Sequence, residues 1–176
     1  TFGTLSLWLA EEGISKTSIG LFALTGIPYT FKFLWSPLID QMPIPLLTPW
    51  LGRRRSWGLL TQVALMISLF FLGLAHPGEA PLATALLALS TSFWSASQDI
   101  VIDAYRVEIL EERQFGAGAA MSVLGYRLGM LASGAAALYL ASFFGWFVTY
   151  TIMAGLMGVG IITILLSPEP ETKVAE

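Results

Sequence analysis

The chain has 176 residues, 55% of them hydrophobic and only 12% charged, with no cysteine and a formal net charge of −3; its mean hydropathy is +0.71. Soluble domains carry about a quarter charged residues, so this composition excludes a water-soluble globule and predicts an integral membrane protein. The lack of cysteine excludes a disulfide framework, a thiol nucleophile and a thiolate metal site. The single histidine sits in a His76-Pro77-Gly78 turn, so neither a metal nor a cofactor is expected.

In chain order, the first apolar run is short, Phe2 to Ala10. It has no basic flank or cleavage site of a signal peptide and reads as the tail of a truncated first helix. Five longer spans are predicted at 17–40, 57–75, 82–104, 117–142 and 146–167, close to the roughly 20 residues that cross a hydrocarbon core. Residues 1–167 thus form one transmembrane bundle. The polar, proline-punctuated stretch 168–176 is expected to begin a cytoplasmic linker. Arg53, Arg54, Arg55, Arg106, Arg113 and Lys173 fall on one side, and only Lys16 on the other. That asymmetry places the arginine-bearing loops and the C-terminus in the cytoplasm. Trp8, Trp57 and Trp146 are expected in interfacial belts, Trp35 and Trp94 in packing.

Charges inside spans are costly and by default functional. The second span carries Lys32 and ends on Asp40, the fourth carries Gln98, Asp99 and Asp103, and the fifth carries Tyr126 and Arg127. With a rise of about 1.5 Å per residue, Lys32 lies ~12 Å, Asp99 ~7 Å and Arg127 ~15 Å from the inner helix ends. Asp99 is therefore expected to pair with Lys32 or Arg127, and to be the proton carrier. Gln98 offers an amide at the same depth for sugar hydroxyls or peptide groups. Asp103 is assigned to an inner-face pair with Arg106 or the Arg53–Arg55 loop, and Asp40 with Arg53 and Arg54 to a charge clamp. Pro28 and Pro37 are expected to kink the second span. Gly125 and Gly129 have the small-xxx-small spacing of a close helix contact.

Two function classes compete on these residues: a secondary transporter, and a membrane prenyltransferase-like enzyme holding Mg²⁺-diphosphate between Asp99 and Asp103. The enzyme wants a second aspartate-rich segment, and none is present; the chain is therefore not expected to be an enzyme, and no nucleic-acid partner is expected.

Four segments carry a family resemblance: Lys32-Phe33-Leu34-Trp35-Ser36-Pro37-Leu38-Ile39-Asp40, Gly52-Arg53-Arg54-Arg55, Ser97-Gln98-Asp99-Ile100-Val101-Ile102-Asp103-Ala104, and the run from Gly116 to Met130. Together, from about Gly3 to Pro170, they resemble the AmpG-type muropeptide permeases, with acetyl-coenzyme A transporters as more distant relatives. The resemblance implies an all-α fold, here the N-terminal six-helix bundle of a major facilitator-type transporter. It implies import of GlcNAc–anhydroMurNAc muropeptides across a bacterial inner membrane for cell-wall recycling, proton-driven and in some bacteria feeding β-lactamase induction. The expected partners are the muropeptide, protons, the lipid bilayer and a missing C-terminal bundle. The insertion of residues 44–51 between Asp40 and the arginines departs from the general facilitator loop.

Overall fold

The computed structural model describes residues 2–170. Thr1 and residues 171–176, which include Lys173 and most of the expected linker, lie outside the described residues. The chain is a helical bundle of α1 (Phe2–Glu11), α2 (Lys16–Phe22), α3 (Ile27–Phe31), α4 (Ser36–Gln41), α5 (Thr48–Leu51), α6 (Arg53–Gly73), α7 (Pro81–Ile109), α8 (Phe115–Leu131) and α9 (Ala137–Leu166). Short 3₁₀ turns, Ala23–Gly26 and Lys32–Leu34, join α2, α3 and α4 into one interrupted span. Pro28 and Pro37 sit in the first turns of α3 and α4. A proline has no N–H to give the preceding turn, so each restarts the helix, as the sequence predicts.

The fifth and sixth spans run on as helix through a π-helical turn at Ala132–Ala136 and divide at Gly145, whose φ of 78° is left-handed. Glycine adopts that conformation without a Cβ penalty, which lets the chain reverse in a single residue. By length and apolarity alone, Arg53–Gly73 and the continuous stretch Glu112–Leu166 qualify as membrane spans. The second span fails because it is broken, and α7 because serines, Gln98 and the aspartates lower its hydropathy.

α6 is the centre of the packing and lies along both α7 and α9. The core gathers Trp8, Leu9, Leu65, Leu69, Ala88 and Tyr150. Trp8 was expected at an interface. It is only 3% exposed, stacked on Trp146 at 5.7 Å and tilted against Tyr150 at 5.3 Å. An indole buries more area inside an aromatic stack than at a headgroup. Trp35 and Trp94 pack as expected. Nothing lies within 4 Å of the Cβ position at Gly125 or Gly129, so among the described residues no backbone uses their close-approach spacing. Their helix instead presents an open apolar face, with Met121, Tyr126 and Leu131 more than half exposed.

Candidate functional site

The charged residues of the second span meet those of α7 along one seam. Lys32, in the 3₁₀ turn that the proline breaks create, brings its Nζ to 3.8 Å from Asp99 Oδ2, with side chains 36% and 48% exposed. One turn away from the arginine end, Tyr29 Oη and Ser95 Oγ share a hydrogen bond of 2.5 Å. Tyr29 precedes Lys32 by three residues, and Ser95 precedes Asp99 by four. The two contacts are therefore successive rungs between the same two helix faces. Beside them Trp35 Nε1 donates to Ser97 Oγ at 3.0 Å, fixing the second span against α7.

At the arginine end, Arg54 is the hub. Its Nη1 donates to Asp40 Oδ1 at 2.6 Å and its Nε to Glu108 Oε2 at 2.9 Å, while Nη2 donates to Glu108 Oε1. This fork ties the second span, α6 and α7 together, the planar bidentate geometry that guanidinium suits. Those hydrogen bonds hold the Glu108 carboxyl below the usual carboxylate range, against the opposing pull of burial. Arg106 Nη2 donates to Asp103 Oδ1 at 3.0 Å and its Nη1 to Ser122 Oγ at 2.9 Å, which adds α8 to the same end. A cleft of about 520 Å³, lined by Lys32, Ser36, Asp40, Arg54, Asp103 and Glu108 among others, runs from Lys32 to the Arg54 fork.

The same end is braced from behind. Glu169 accepts from the backbone N–H groups of Arg54 at 2.8 Å and Arg55 at 3.0 Å, placing a carboxylate on the positive end of α6. Arg55 reciprocates on α9, donating to the carbonyls of Ile164 at 3.0 Å and Leu165 at 2.6 Å. Gly52, with φ 83°, leaves the space the Glu169 side chain fills. Tyr105 Oη adds a bond to Pro168 O at 2.7 Å, so residues 168–169 are tied to the bundle.

Several expected placements change. Gln98 does not share the face of Asp99: its amide donates to Gln62 on α6, which in turn donates to Met157 O on α9 at 2.6 Å. Neighbouring residues on a helix do not face the same way, so depth alone put Gln98 in the wrong group. Arg127 makes no ion pair with Asp99 among the described residues, and it and Tyr126 lie exposed on the open face of α8. Among the described residues Arg53 makes no hydrogen bond to the fork, though its charge acts on Glu108, and its buried Nε has no partner. The fork's second carboxylate, Glu108, was missed because the fourth span was ended at 104. No glycine or proline follows until Gly116, so α7 runs on to Ile109 and carries Glu108 onto the cleft.

The whole chain, residues 1–176, matches the Major Facilitator Superfamily. The chain belongs to the Major Facilitator Superfamily. Membership of that transporter superfamily makes it a membrane protein and sets aside the diphosphate-binding enzyme. Among facilitator relatives, the chain is 48% identical over 175 residues to the anhydromuropeptide permease of Escherichia coli (strain K12), which covers 99% of this chain and 35% of that protein. It is 42% identical over 175 residues to an uncharacterized protein of Haemophilus influenzae, covering 98% of this chain and 40% of the relative. A putative transporter, AmpG 4 of Rickettsia felis, is 37% identical over 172 residues, 97% of this chain and 41% of its own length. This facilitator chain thus spans about two fifths or less of the curated relatives it matches.

Proposed function

We propose that this chain forms the N-terminal bundle of a proton-driven importer of anhydromuropeptides, GlcNAc–anhydroMurNAc with or without peptide, in a bacterial inner membrane. The identity to the permease of Escherichia coli supports the cargo. The observation that carries the mechanism is the half-exposed Lys32–Asp99 pair, whose lysine lines a cleft in an otherwise apolar bundle. The open apolar face of α8 is where a second bundle would pack, since facilitator sites are built at the interface of two repeats. The arginine-rich end is cytoplasmic by the positive-inside rule, and residues 168–176 lead into the linker.

Alternating access then uses the pair as its switch. Protonation of Asp99 removes the negative charge beside Lys32 and frees the ammonium for a carboxylate of the cargo. Loss of that proton to the cytoplasm restores the ion pair and releases the cargo. Tyr126 and Arg127 stand on that same α8 face, where a guanidinium at the border between the two bundles would offer the cargo a second anion contact. The Arg54 fork, with Asp103–Arg106 beside it, keeps the cytoplasmic end closed until the bundles rock. The test is uptake of labelled anhydromuropeptide by the full-length protein in spheroplasts, with and without a protonophore. Saturable, protonophore-sensitive uptake is expected, abolished in Asp99→Asn and lowered at least tenfold in Lys32→Gln. Unchanged, pH-independent uptake by Asp99→Asn would refute the coupling.

A further inference from the structure

A second cavity, of about 310 Å³, lies inside the bundle and is bounded by all six spans. Its lining runs from Ser95 and Tyr29 at mid-depth to Leu72 and Tyr150 toward the end opposite the arginines, a depth of roughly 10 Å along each helix at 1.5 Å per residue. Its polar lining is hydroxyl only. Thr25 and Thr91 donate to their own helices, at Phe22 O and Leu87 O, and keep lone pairs free. Ser92 is 5% exposed and its Oγ has no hydrogen-bond partner among the described residues. A buried hydroxyl left unpaired is costly. Leucines, Ala88 and Met157 line the rest of the cavity, and beside the hydroxyls it has the room and the two to four polar partners that a buried water needs.

We propose that this cavity is hydrated from the outer side of the membrane and that the Tyr29–Ser95 hydroxyl pair relays protons from it to Asp99. The proposal rests on the coupling role of Asp99 given above. A hydrated proton in the cavity gives H⁺ to Ser95 Oγ as the Ser95 proton passes to Tyr29 Oη. The Tyr29 proton passes in turn to the Asp99 carboxylate, directly or across one water. One proton enters, both hydroxyls end neutral, and Asp99 ends as the acid with Lys32 unpaired. The charged and titratable groups around the acceptor are Lys32 and Tyr29 from the second span, Asp103 one turn along α7, and Tyr126 from α8 on the side of Tyr29. The relay explains why the hydroxyl rung stands between the cavity and the ion pair, where an apolar pair would lock the helices equally well.

The experiment compares two readouts in the full-length protein reconstituted in vesicles: proton influx with substrate, and substrate counterflow, which needs no net proton movement. Tyr29→Phe and Ser95→Ala are expected to slow proton influx about tenfold while counterflow persists, and Ser95→Thr to restore it. Asp99→Asn is expected to abolish influx. Wild-type influx in Tyr29→Phe and Ser95→Ala, with Asp99→Asn inactive, would overturn the relay and leave the coupling standing. Persistent influx in Asp99→Asn would overturn the coupling, and the relay with it. Hydration is read separately. Ser92→Cys, in a full-length protein with no other cysteine, is expected to react with a small water-soluble methanethiosulfonate added outside. Absence of reaction would overturn the hydrated cavity.

Discussion

Replacing Arg54 by glutamine tests the proposed clamp at the arginine end most directly. The guanidinium makes three charge-assisted hydrogen bonds, to Asp40 once and to Glu108 twice. Its side chain is 7% exposed, whereas Asp40 and Glu108 are 39% and 33% exposed. Breaking a fully buried pair costs about 3–5 kcal/mol because a charge is left stranded, and an exposed one costs at most about 1 kcal/mol. Here the two carboxylates regain water and the removed cation was the buried partner, so the loss is about 2–3 kcal/mol. If the fork exists only when the cytoplasmic end is closed, that loss shifts the closed-to-open ratio about 30- to 150-fold, at about 1.4 kcal/mol per tenfold. The assay is the rate at which Ala104→Cys, on the cleft wall, reacts with a thiol reagent from the cytoplasmic side of the full-length protein. Arg54→Gln should speed that reaction by at least tenfold, and Arg54→Lys should only partly restore protection, since an ammonium lacks the fork. Equal labelling in Arg54→Gln and the parent would refute the clamp.

Three further outcomes are expected. Because Arg54 depresses the Glu108 pKa, the clamp's contribution is complete above the ordinary glutamate value near 4.3 and fades only as pH falls through the lower folded-state value. The difference in unfolding temperature between parent and Arg54→Gln should therefore be flat around neutral pH and shrink in acid; a difference already lost at about pH 6 would contradict the assignment. Glu169→Ala removes the acceptor of two α6 N–H groups and should cost about 1 kcal/mol, seen as earlier thermal unfolding in detergent with substrate binding intact. Gln98→Leu should destabilise by about 1–3 kcal/mol, since Gln62 loses its partner, while Gln62→Leu with Gln98→Leu should be close to neutral. Substrate affinity should not change in either; a Gln98→Leu variant that folds normally but loses binding would return Gln98 to the cargo site.

Membership of a membrane class, the order of the spans, the proline breaks of the second span and a break between residues 142 and 146 were legible in the sequence. Each follows from local chemistry: hydropathy over about 20 residues and, at the prolines, a missing N–H. Legible too were a cation beside Asp99, left open between Lys32 and Arg127, and Asp40 beside an arginine, because spacing gives depth along a helix. The azimuth was not. Gln98 sits one residue from Asp99 and at nearly its depth, yet it faces Gln62 because each residue turns the helix by 100° and only the packing of α6 on α7 says which way is in. For the same reason the sequence named three arginines and could not say that Arg54 alone forms the fork, that Arg55 closes α9, or that Glu108 completes the clamp. Depth is one-dimensional and belongs to the chain; which side chains meet is decided by how the helices are rotated against one another.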